Sequence, residues 1–429
     1  MLISLFFLTV TDSQVLSVTT LLFSAAVFLF SVINKKSRQV LFLPVISISV
    51  CLACLLLLFS LGSYKSATGF VGKQCTIRAT LKQTPAFSKE NKRYYAIAKI
   101  KTIDGQKVRT DIKLSLSEKT EITADNEILF DALIYKTGSD IKDITNYYKS
   151  ERLYIGCYNI SNLKITRNDF KGYYSFKEKL TEYITDIFLK HFDRDTAGFL
   201  ISLLTGNKTF LSDEIYRNFQ RTGLSHLMAV SGLHLSVWVI FMGMLVDKKR
   251  KSSVLLNLTM ASVVLFIMVI ASFSGSVKRA GFMCLLHLMG QMLSKRSDSL
   301  NSLGFSVALI LLINPYSVFD IGFILSFLST LSILVLALPL SEKFIKQKYF
   351  VSLPQFVKQL LIPVITSLTI SLSVSLFTFP VIALKFGYIS LISPLTNILF
   401  LPVTFILILC NGLFALFSLI SPKPTTIAL

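Results

Sequence analysis

Residues 223–236 read GLSHLMAVSGLHLS, and they place two of the chain's four histidines at the edge of an apolar segment. Ser231, Gly232 and His234 lie within the first turns of a predicted helix, where ionisable side chains are costly and usually face a bundle interior or a wet cavity. Ser231 and His234 are three residues apart and share a helix face, and Gly232 lets another backbone approach closely. The stretch therefore predicts a helix packed inside a membrane bundle.

Apolar segments long enough to cross a membrane surround this stretch. The 429-residue chain is 52% hydrophobic and 16% charged, whereas a soluble domain carries about 25% charged residues. A helix crosses the hydrocarbon core in about 20 residues, so the sequence predicts a polytopic α-helical membrane protein. We expect about nine spans, at residues 15–33, 40–61, 229–246, 253–273, 277–293, 302–319, 321–340, 359–383 and 390–420.

The formal net charge of +20 divides between two parts of the chain. Residues 63–228 hold 27 Lys and Arg against 19 Asp and Glu, and the apolar remainder holds 17 against 5. In the remainder the bases form short clusters between spans, such as residues 35–38 and 247–251, a pattern typical of cytoplasmic loops. This orientation explains most of the basic excess of the remainder and places residues 63–228 outside the cytoplasm.

The polar middle of the chain predicts a small β-barrel. Residues 70–165 alternate apolar and polar side chains in short runs, as half-buried strands do. Five short strands in a segment of this length indicate an extracytoplasmic OB-like β-barrel domain. We predict the strands at Cys75–Gln83, Lys92–Ile103, Lys107–Leu116, Asn126–Tyr135 and Leu153–Lys164, with a short helix at Ile141–Lys149.

These patterns divide the chain into four regions. We expect two N-terminal transmembrane helices in residues 1–62 and the OB-like domain in residues 63–172. Residues 173–228 form amphipathic helices at the outer membrane surface, because apolar residues recur at helical spacing from Phe176 onward. Residues 229–429 form the helical bundle.

Two of the six cysteines fall in the predicted barrel, Cys75 on its first strand and Cys157 on its last. In an oxidising compartment outside the cytoplasm they are a disulfide candidate that would tie the two ends of the barrel together. Two buried free thiols are the alternative, and the sequence leaves both open.

The predicted barrel also has the composition of a nucleic-acid binding surface. Its basic excess could attract a polyanion, and barrels of this type bind single strands through basic grooves and stacked aromatic side chains. The alternative is that its tyrosines only fill strand faces and loops. The candidate tyrosines are Tyr94, Tyr95, Tyr135, Tyr147, Tyr148, Tyr154 and Tyr158.

Three chemistries are open to the polar residues of the 223–236 stretch. Ser231 and His234 could act as nucleophile and base, but no orienting acid lies near them in the sequence. His226, His234 and His287 could bind a metal, but their spacing matches no ligand motif. We favour a polar path through the bundle, lined by His226, Ser231, Gly232 and His234, with no catalytic residue, no metal and no cofactor.

Two further polar groups lie at predicted span ends. Lys278 and Arg279 lie at the outer end of a predicted span, whereas most basic residues of the apolar part lie on the predicted cytoplasmic side. We therefore predict that they contact a phosphate, with insertion among lipid headgroups as the alternative. Asp320, Gly322 and Ser326 follow Pro315 at a predicted break between two spans, where irregular backbone is tolerated if it lines a cavity. We add these three residues to the polar path; a plain loop in which Asp320 caps a helix is the alternative.

The residues at these positions resemble the ComEC family of bacterial competence proteins, over nearly the whole chain and in the same order. The motifs that carry the resemblance are His226-Leu-Met-Ala-Val-Ser231-Gly232-Leu-His234, Arg279-Ala280 with Met283, Lys295-Arg296-Ser-Asp298-Ser-Leu-Asn301, Asn314-Pro315, Phe319-Asp320-Ile-Gly322-Phe-Ile-Leu-Ser326-Phe327 and Pro394-Leu395-Thr396-Asn397.

The resemblance implies that the protein moves single-stranded DNA across the bacterial cell membrane during natural transformation. It implies an outer barrel that binds DNA and a helical bundle that forms the channel. The implied partners are single-stranded DNA, membrane lipids and other competence proteins, namely a DNA receptor, a nuclease and a cytoplasmic motor. The oligomeric state is left open.

The sequence also departs from that family. Many members carry a C-terminal metallo-β-lactamase-like domain, whereas this sequence stops at Leu429 without a His/Asp metal cluster. We therefore expect no nuclease activity and no other enzymatic activity. Three alternatives to a channel component stay open: a non-transporting scaffold, a truncated remnant of a channel, and an intramembrane hydrolase that uses Ser231 and His234.

Overall fold

The computed structural model describes residues 42–88, 91–138, 142–168, 172–244, 254–294, 298–347, 350 and 354–420. The chain forms two compact units. The first comprises residues 1–179 and 308–321, and the second comprises residues 180–307 and 322–429. The predicted span at 15–33 and the basic clusters at 35–38 and 247–251 lie outside the described residues.

In the part of the first unit that the structure describes, seven strands and two helices are present. Alternating burial along the long strands puts one face of each strand into a common core. The strands are β1 (Gln74–Leu81), β2 (Ala86–Ser88), β3 (Arg93–Ile103), β4 (Gln106–Lys107), β5 (Asp111–Leu116), β6 (Asn126–Lys136) and β7 (Leu153–Asn168). The helices are α1 (Phe42–Thr68) and α2 (Lys142–Ser150).

Five of the strands close into a barrel. Neighbouring strands follow the order β1-β6-β7-β5-β3, and β3 pairs back to β1. The β5–β7 pairing is parallel and the others are antiparallel. A five-stranded barrel of this kind confirms the predicted OB-like domain. Helix α2 lies between β6 and β7, where the sequence predicted a short helix.

The barrel core is continuous with parts of the chain that precede and follow it. Ile77, Ile112 and Phe130 are almost fully buried inside the barrel, and burying each such side chain contributes about 1.5–3 kcal/mol. Leu57 of α1 and Tyr316 belong to the same apolar cluster. The segment that follows residue 307 is therefore held by the barrel.

The Asn314–Asp320 segment ends one helix and packs on the barrel. The Asn314 side chain accepts a hydrogen bond from the Tyr316 backbone N–H, which caps a 3₁₀ turn at Pro315–Phe319. Asn314 Nδ2 also donates to the Ser150 carbonyl at 2.7 Å. The predicted span at 302–319 was therefore too long, because its helix stops at Ile313.

The two barrel cysteines are free thiols, so the predicted Cys75–Cys157 disulfide is not present. Cys75 on β1 pairs with Ala132, and Cys157 on β7 pairs with Ile134, so strand β6 separates them. Two strand spacings put their Cα atoms roughly 10 Å apart, beyond the ~7 Å reach of a disulfide. Burial and the Asp104 carboxylate raise the pKa of Cys75 to about 11.

Helices build the second unit. Helix α3 (Tyr173–His191) begins in the first unit and ends in the second. The others are α4 (Arg194–Thr205), α5 (Asp213–Arg221), α6 (Gly232–Met244), α7 (Val254–Ile270), α8 (Gly275–Met292), α9 (Ser299–Ile313, whose last residues belong to the first unit), α10 (Ile321–Ser332, continued by a π turn at Ile333–Ala337), α11 (Leu338–Ile345), α12 (Gln355–Phe386) and α13 (Ser393–Ile420).

Four helices of the described chain are long and apolar enough to cross a membrane. They are Val50–Thr68, Ile321–Ile345, Gln355–Phe386 and Ser393–Ser418. Shorter apolar helices cover Gly232–Met244, Val254–Ile270 and Ser299–Ile313. The predicted count of about nine spans is not reached within the described residues, since several predicted spans form helices of fewer than 18 residues.

Buried apolar contacts and one glycine hold the helices of the second unit together. Val264 and Met268 of α7 pack with Val277 of α8 in one buried cluster. A Cβ atom on Gly412 of α13 would lie 2.1 Å from the Trp238 ring of α6, so only glycine fits there. These contacts position the N-terminal ends of α6 and α8, where the candidate site lies.

Candidate functional site

Ser231 and His234 form the N-terminal cap of helix α6. Ser231 directly precedes the helix, and its Oγ accepts a hydrogen bond from the Leu233 backbone N–H at 3.3 Å. His234 Nδ1 reaches back and accepts from the Ser231 backbone N–H at 3.1 Å. This reciprocal arrangement is a capping box in which histidine replaces the usual Glu or Gln. The prediction that both residues lie within the helix was therefore wrong for Ser231.

The cap fixes the tautomer of His234. Because Nδ1 accepts a hydrogen bond, the neutral imidazole ring carries its proton on Nε2. The His234 side chain is buried, and the Leu203 backbone carbonyl faces the ring as a hydrogen-bond acceptor. Ser231 Oγ lies 3.3 Å from the same Nδ1. The capping bonds explain this Ser/His pair without a nucleophilic role.

His226 lies apart from the cap, on the 3₁₀ turn Ser225–Met228. Its Nδ1 is 3.1 Å from the Gly223 carbonyl and therefore donates to it. His287, the third histidine weighed as a metal ligand, is 2.9 Å from Gln291 on its own helix. Within the described residues, no group of three His, Cys, Asp or Glu side chains could hold a metal ion.

Arg279 is a buried cation at the start of helix α8. Its side chain is 7% exposed, and its Nε donates to Ser326 Oγ at 2.8 Å. Nη1 lies 3.2 Å from the Met283 sulfur. No carboxylate of the described residues forms an ion pair with the guanidinium, so its charge is held by a hydroxyl and a thioether. Lys278, its neighbour, is only half-buried.

Helices α8 and α10 are joined by two hydrogen bonds around this arginine. Ser276 Oγ donates to the Gly322 carbonyl at 3.1 Å, one turn before the Arg279–Ser326 bond. Gly232 of α6 lies against the same place: a Cβ there would approach Ala280 Cβ to 3.3 Å and Arg279 Nη2 to 3.5 Å. The structure thus brings together Gly232, Arg279, Gly322 and Ser326.

Asp320 is the predicted path residue that falls in the other unit. It ends the 3₁₀ turn Pro315–Phe319, and its backbone N–H donates to the Ser317 carbonyl at 3.0 Å. Its carboxylate adds to the effect of burial and of Glu151 in raising the pKa of Tyr147 on α2. Asp320 belongs with the barrel, whereas Arg279 belongs with the helices.

The Pro394–Asn397 motif forms a second polar cluster in the second unit. Thr396 Oγ1 donates to the Thr222 carbonyl at 2.9 Å, and Ser390 Oγ donates to the Arg221 carbonyl at 2.8 Å. Asn397 Nδ2 donates to Ser371 Oγ of α12 at 3.3 Å. These bonds anchor α13 to the turn that leads into the His226 segment.

The outer face of the barrel carries an aromatic and basic cluster. Lys113 of β5 lies 4.6 Å from the centre of the Tyr95 ring and 5.8 Å from that of Tyr148. The rings of Tyr135 and Tyr158 are 5.8 Å apart on β6 and β7. We call these five residues the tyrosine face. Burial, together with Cys157, Tyr148 and Tyr95, raises the pKa of Tyr135 to about 12, so its hydroxyl stays neutral.

A glycine shapes the tyrosine face. The Tyr135 ring lies directly over Gly156 of β7, where a Cβ would come within 2.3 Å of the ring. The other predicted tyrosines have different surroundings. Tyr154 is buried in the core, Tyr94 packs on Phe87, and Tyr147 packs edge-on against Tyr148.

A family model described as "Competence protein" matches residues 203–429, more than half of the chain. The chain belongs to the competence protein family. Its matched part contains the α6 cap, the Arg279 cluster and the Pro394–Asn397 motif. Four long apolar helices together with this family identify a membrane protein.

One curated relative supports the competence assignment. ComE operon protein 3 of Bacillus subtilis (strain 168) is 28% identical over 212 residues. The alignment covers 48% of this chain and 25% of the relative, so it spans about a quarter of the relative's length. No solved structure matches the chain.

Several residues of the candidate site were missed from the sequence. Lys113 and Gly156 are ordinary strand residues in the sequence, and only the strand pairing puts them beside Tyr95, Tyr135 and Tyr148. Ser276, whose Oγ donates to the Gly322 carbonyl, was also missed. A small polar residue three positions before a membrane arginine is the signal that could have identified it, because both side chains then share one helix face.

Proposed function

We propose that this competence-family chain is a component of the channel that moves single-stranded DNA across the bacterial cell membrane during natural transformation. The observation that carries the proposal is the buried guanidinium of Arg279, which has no carboxylate partner among the described residues. An ionised group in a bundle of apolar helices is costly unless it is paired. A passing phosphodiester would supply the missing negative charge.

The geometry around Arg279 suits this role. Its Nε is fixed by Ser326 and its Nη1 contacts the Met283 sulfur, which leaves Nη2 and the second N–H of Nη1 as donors for phosphate oxygens. Gly232 presents no side chain beside Nη2. We assign Arg279 as the phosphate contact of the path, with half-buried Lys278 as a second positive charge next to it.

The barrel is proposed as the outer DNA-binding part. Stacking of bases on aromatic side chains contributes about 1–3 kcal/mol per base and tolerates any sequence. The tyrosine face offers four rings and one ammonium group on one surface. Strands equivalent to β3 and β5 form the usual ligand face of OB barrels. We propose an extracytoplasmic position for the barrel, consistent with the distribution of basic clusters.

Substitution of Arg279 tests the proposal. A hydrogen bond to a charged group contributes about 1.5–3 kcal/mol, so Arg279→Ala should lower the rate of DNA uptake by about 10- to 100-fold. Arg279→Lys should keep part of the activity, because it retains the charge and loses the fork. Uptake is measured as labelled DNA protected from external nuclease, and membrane insertion is checked by fractionation.

A matched control separates this role from general damage. Lys385→Ala removes one positive charge at the far end of α12 and should leave uptake unchanged. Normal uptake in Arg279→Ala would refute the phosphate role. If a strain that lacks the whole chain takes up DNA normally, the chain is not a component of the channel. If that strain also assembles the usual amount of competence machinery, the chain is not a scaffold either.

The partners follow from the same proposal. The chain would contact single-stranded DNA and lipids, and it would work with a DNA receptor, a nuclease and a cytoplasmic motor. We propose no enzymatic role, since the Ser231–His234 pair is engaged in helix capping. A serine-reactive probe that labels the protein, with labelling lost in Ser231→Ala, would overturn this part.

A further inference from the structure

A second basic site lies on the barrel, away from the tyrosine face. It is a pocket of about 650 Å³ whose lining includes four basic side chains and one acidic one. We call it the basic pocket. Its charged residues are Arg78, Lys101, Lys107, Arg109 and Glu127.

Glu127 organises two of the four bases. It is buried, and its two carboxylate oxygens bind Arg78 Nε and Lys101 Nζ, the latter at 2.6 Å. Although burial opposes it, hydrogen bonding to Lys101 and Arg78 lowers the pKa of Glu127, so the carboxylate is ionised at neutral pH. Arg78 and Lys101 are therefore held in place, while about half of each side chain faces solvent.

The pocket keeps a large positive excess. Among the described residues that line it, one carboxylate faces four cations, which leaves an excess of three positive charges. Arg78 is engaged through Nε, which leaves both terminal nitrogens as a fork for an oxyanion. Lys107 and Arg109 are exposed and form no ion pair with any described residue.

The basic pocket and the tyrosine face occupy opposite ends of the same strands. On β6 the pocket contains Glu127 and the tyrosine face contains Tyr135, eight positions further on. On β7 the corresponding residues are Thr166 and Tyr158. At about 3.4 Å per strand residue the two sites are roughly 25 Å apart. One OB barrel covers about 4–16 nucleotides of a single strand, so a long strand can reach both sites.

We infer that the basic pocket is a phosphate site that holds the backbone of a DNA strand whose bases stack on the tyrosine face. This inference rests on the proposed DNA-binding role of the barrel and adds a second, separate point of contact. The lining favours nucleic acid over lipid, because its two apolar residues, Ile100 and Val108, are both buried and offer no surface to an acyl chain.

The test measures binding of fluorescent oligothymidylate to the full chain in nanodiscs of zwitterionic lipid. The pocket variant is Lys107→Ser with Arg109→Ser, which spares the Glu127 ion pairs. The control variant is Lys73→Ser with Lys119→Ser, which removes the same charge from exposed barrel positions outside the pocket. Each variant is titrated with strands of 4 and 16 nucleotides at several salt concentrations.

The expected result is specific to the longer strand. Each phosphate contact contributes about 0.7 to the salt slope of single-strand binding, so the pocket variant should lower the slope for 16 nucleotides by about 1.4. The 4-nucleotide strand is too short to bridge the two sites, so its binding through the tyrosine face should be the same as in the wild type. The control variant should keep the wild-type slope for both strands.

The failing outcomes are distinguishable. The pocket assignment is overturned if the pocket and control variants give the same salt slope for the 16-nucleotide strand while Tyr148→Ala weakens the binding of both strands. The tyrosine face would then remain supported. If the wild type binds neither strand, both the phosphate site in the basic pocket and the DNA-binding role of the barrel are refuted. If phosphatidylglycerol in the nanodisc lowers the wild-type slope as much as the pocket variant does, the pocket binds a lipid headgroup instead.

Discussion

Replacement of Ser231 tests whether the Ser/His pair caps a helix or does chemistry. Ser231→Ala removes the acceptor for the Leu233 N–H, and His234→Ala removes the acceptor for the Ser231 N–H. Loss of an N-terminal cap costs about 0.5–2 kcal/mol. Because 1 kcal/mol shifts Tm by about 2–4 °C in a unit of 150–250 residues, each variant should melt roughly 1–8 °C lower.

The structure also predicts how the two substitutions combine. Ser231 Oγ and His234 Nδ1 are themselves 3.3 Å apart, so each single variant removes part of the same network. The double variant should therefore be destabilised less than the sum of the single variants, by a coupling of at least about 0.5 kcal/mol. Thermal unfolding of the purified protein, followed by circular dichroism, measures all three values.

Conservative variants separate capping from chemistry. Ser231→Asn keeps a capping acceptor, and His234→Gln keeps a side chain able to reach back to the Ser231 N–H. Both should retain the wild-type Tm and most of the DNA uptake. A Ser231→Asn protein that melts normally but takes up no DNA would show that capping is not the whole role of Ser231, and it would assign the hydroxyl a direct role, either in the polar path or as a nucleophile.

Three further predictions concern the barrel. Tyr316→Ala should destabilise the first unit by about 3–5 kcal/mol, because it leaves a cavity at a fully buried position of the barrel core. Chemical denaturation followed by tyrosine fluorescence measures this change. A loss below about 1 kcal/mol would contradict the packing of the Asn314–Asp320 segment on the barrel. Tyr148→Ala should weaken oligothymidylate binding about 5- to 100-fold through loss of stacking, and unchanged affinity by fluorescence anisotropy would exclude the tyrosine face. Cys75 and Cys157 should resist modification by maleimide at pH 8 in the folded protein, because burial raises the pKa of both thiols. Both should react fully once the protein is denatured without reductant. If mass mapping shows no reaction after denaturation, the two cysteines form a disulfide.

Much of the barrel could be predicted from the sequence because its strands follow a simple rule. Alternating burial repeats the alternation of apolar and polar residues from Gln74 to Leu81 and from Asn126 to Lys136. The helix between β6 and β7 was also predicted. The split of the predicted third strand at residues 108–110 was not, since β4 pairs with β3 while β5 begins a parallel ladder with β7.

Contacts between distant parts of the chain were beyond the sequence pattern. The Asn314–Asp320 segment has the polar and proline content of a broken membrane helix, and periodicity alone does not reveal that Tyr316 packs into the barrel core. The choice between a Cys75–Cys157 disulfide and two buried thiols was left open for a related reason: first and last strands of a barrel are not always neighbours, and β6 lies between them here.

The sequence predicted which residues belong to the candidate site better than it predicted what each of them does. Arg279 and Ser326 were chosen as separate polar groups, and the structure joins them by a hydrogen bond. Ser231 and His234 were chosen as a pair on one helix face, and the structure turns that pair into a cap. Spacing of three predicts proximity correctly, but it does not tell whether the first residue lies inside the helix or before it.

We propose that this chain is a component of the channel that carries DNA into the cell, and uptake in a deletion strain tests this proposal most directly. Radiolabelled duplex DNA is supplied to cells that lack the gene and to the same cells complemented with the wild type or with Arg279→Ala. We predict nuclease-protected label with the wild type, none in the deletion strain, and about 10- to 100-fold less with Arg279→Ala. Equal protected label in the deletion strain and the complemented strain would contradict the account.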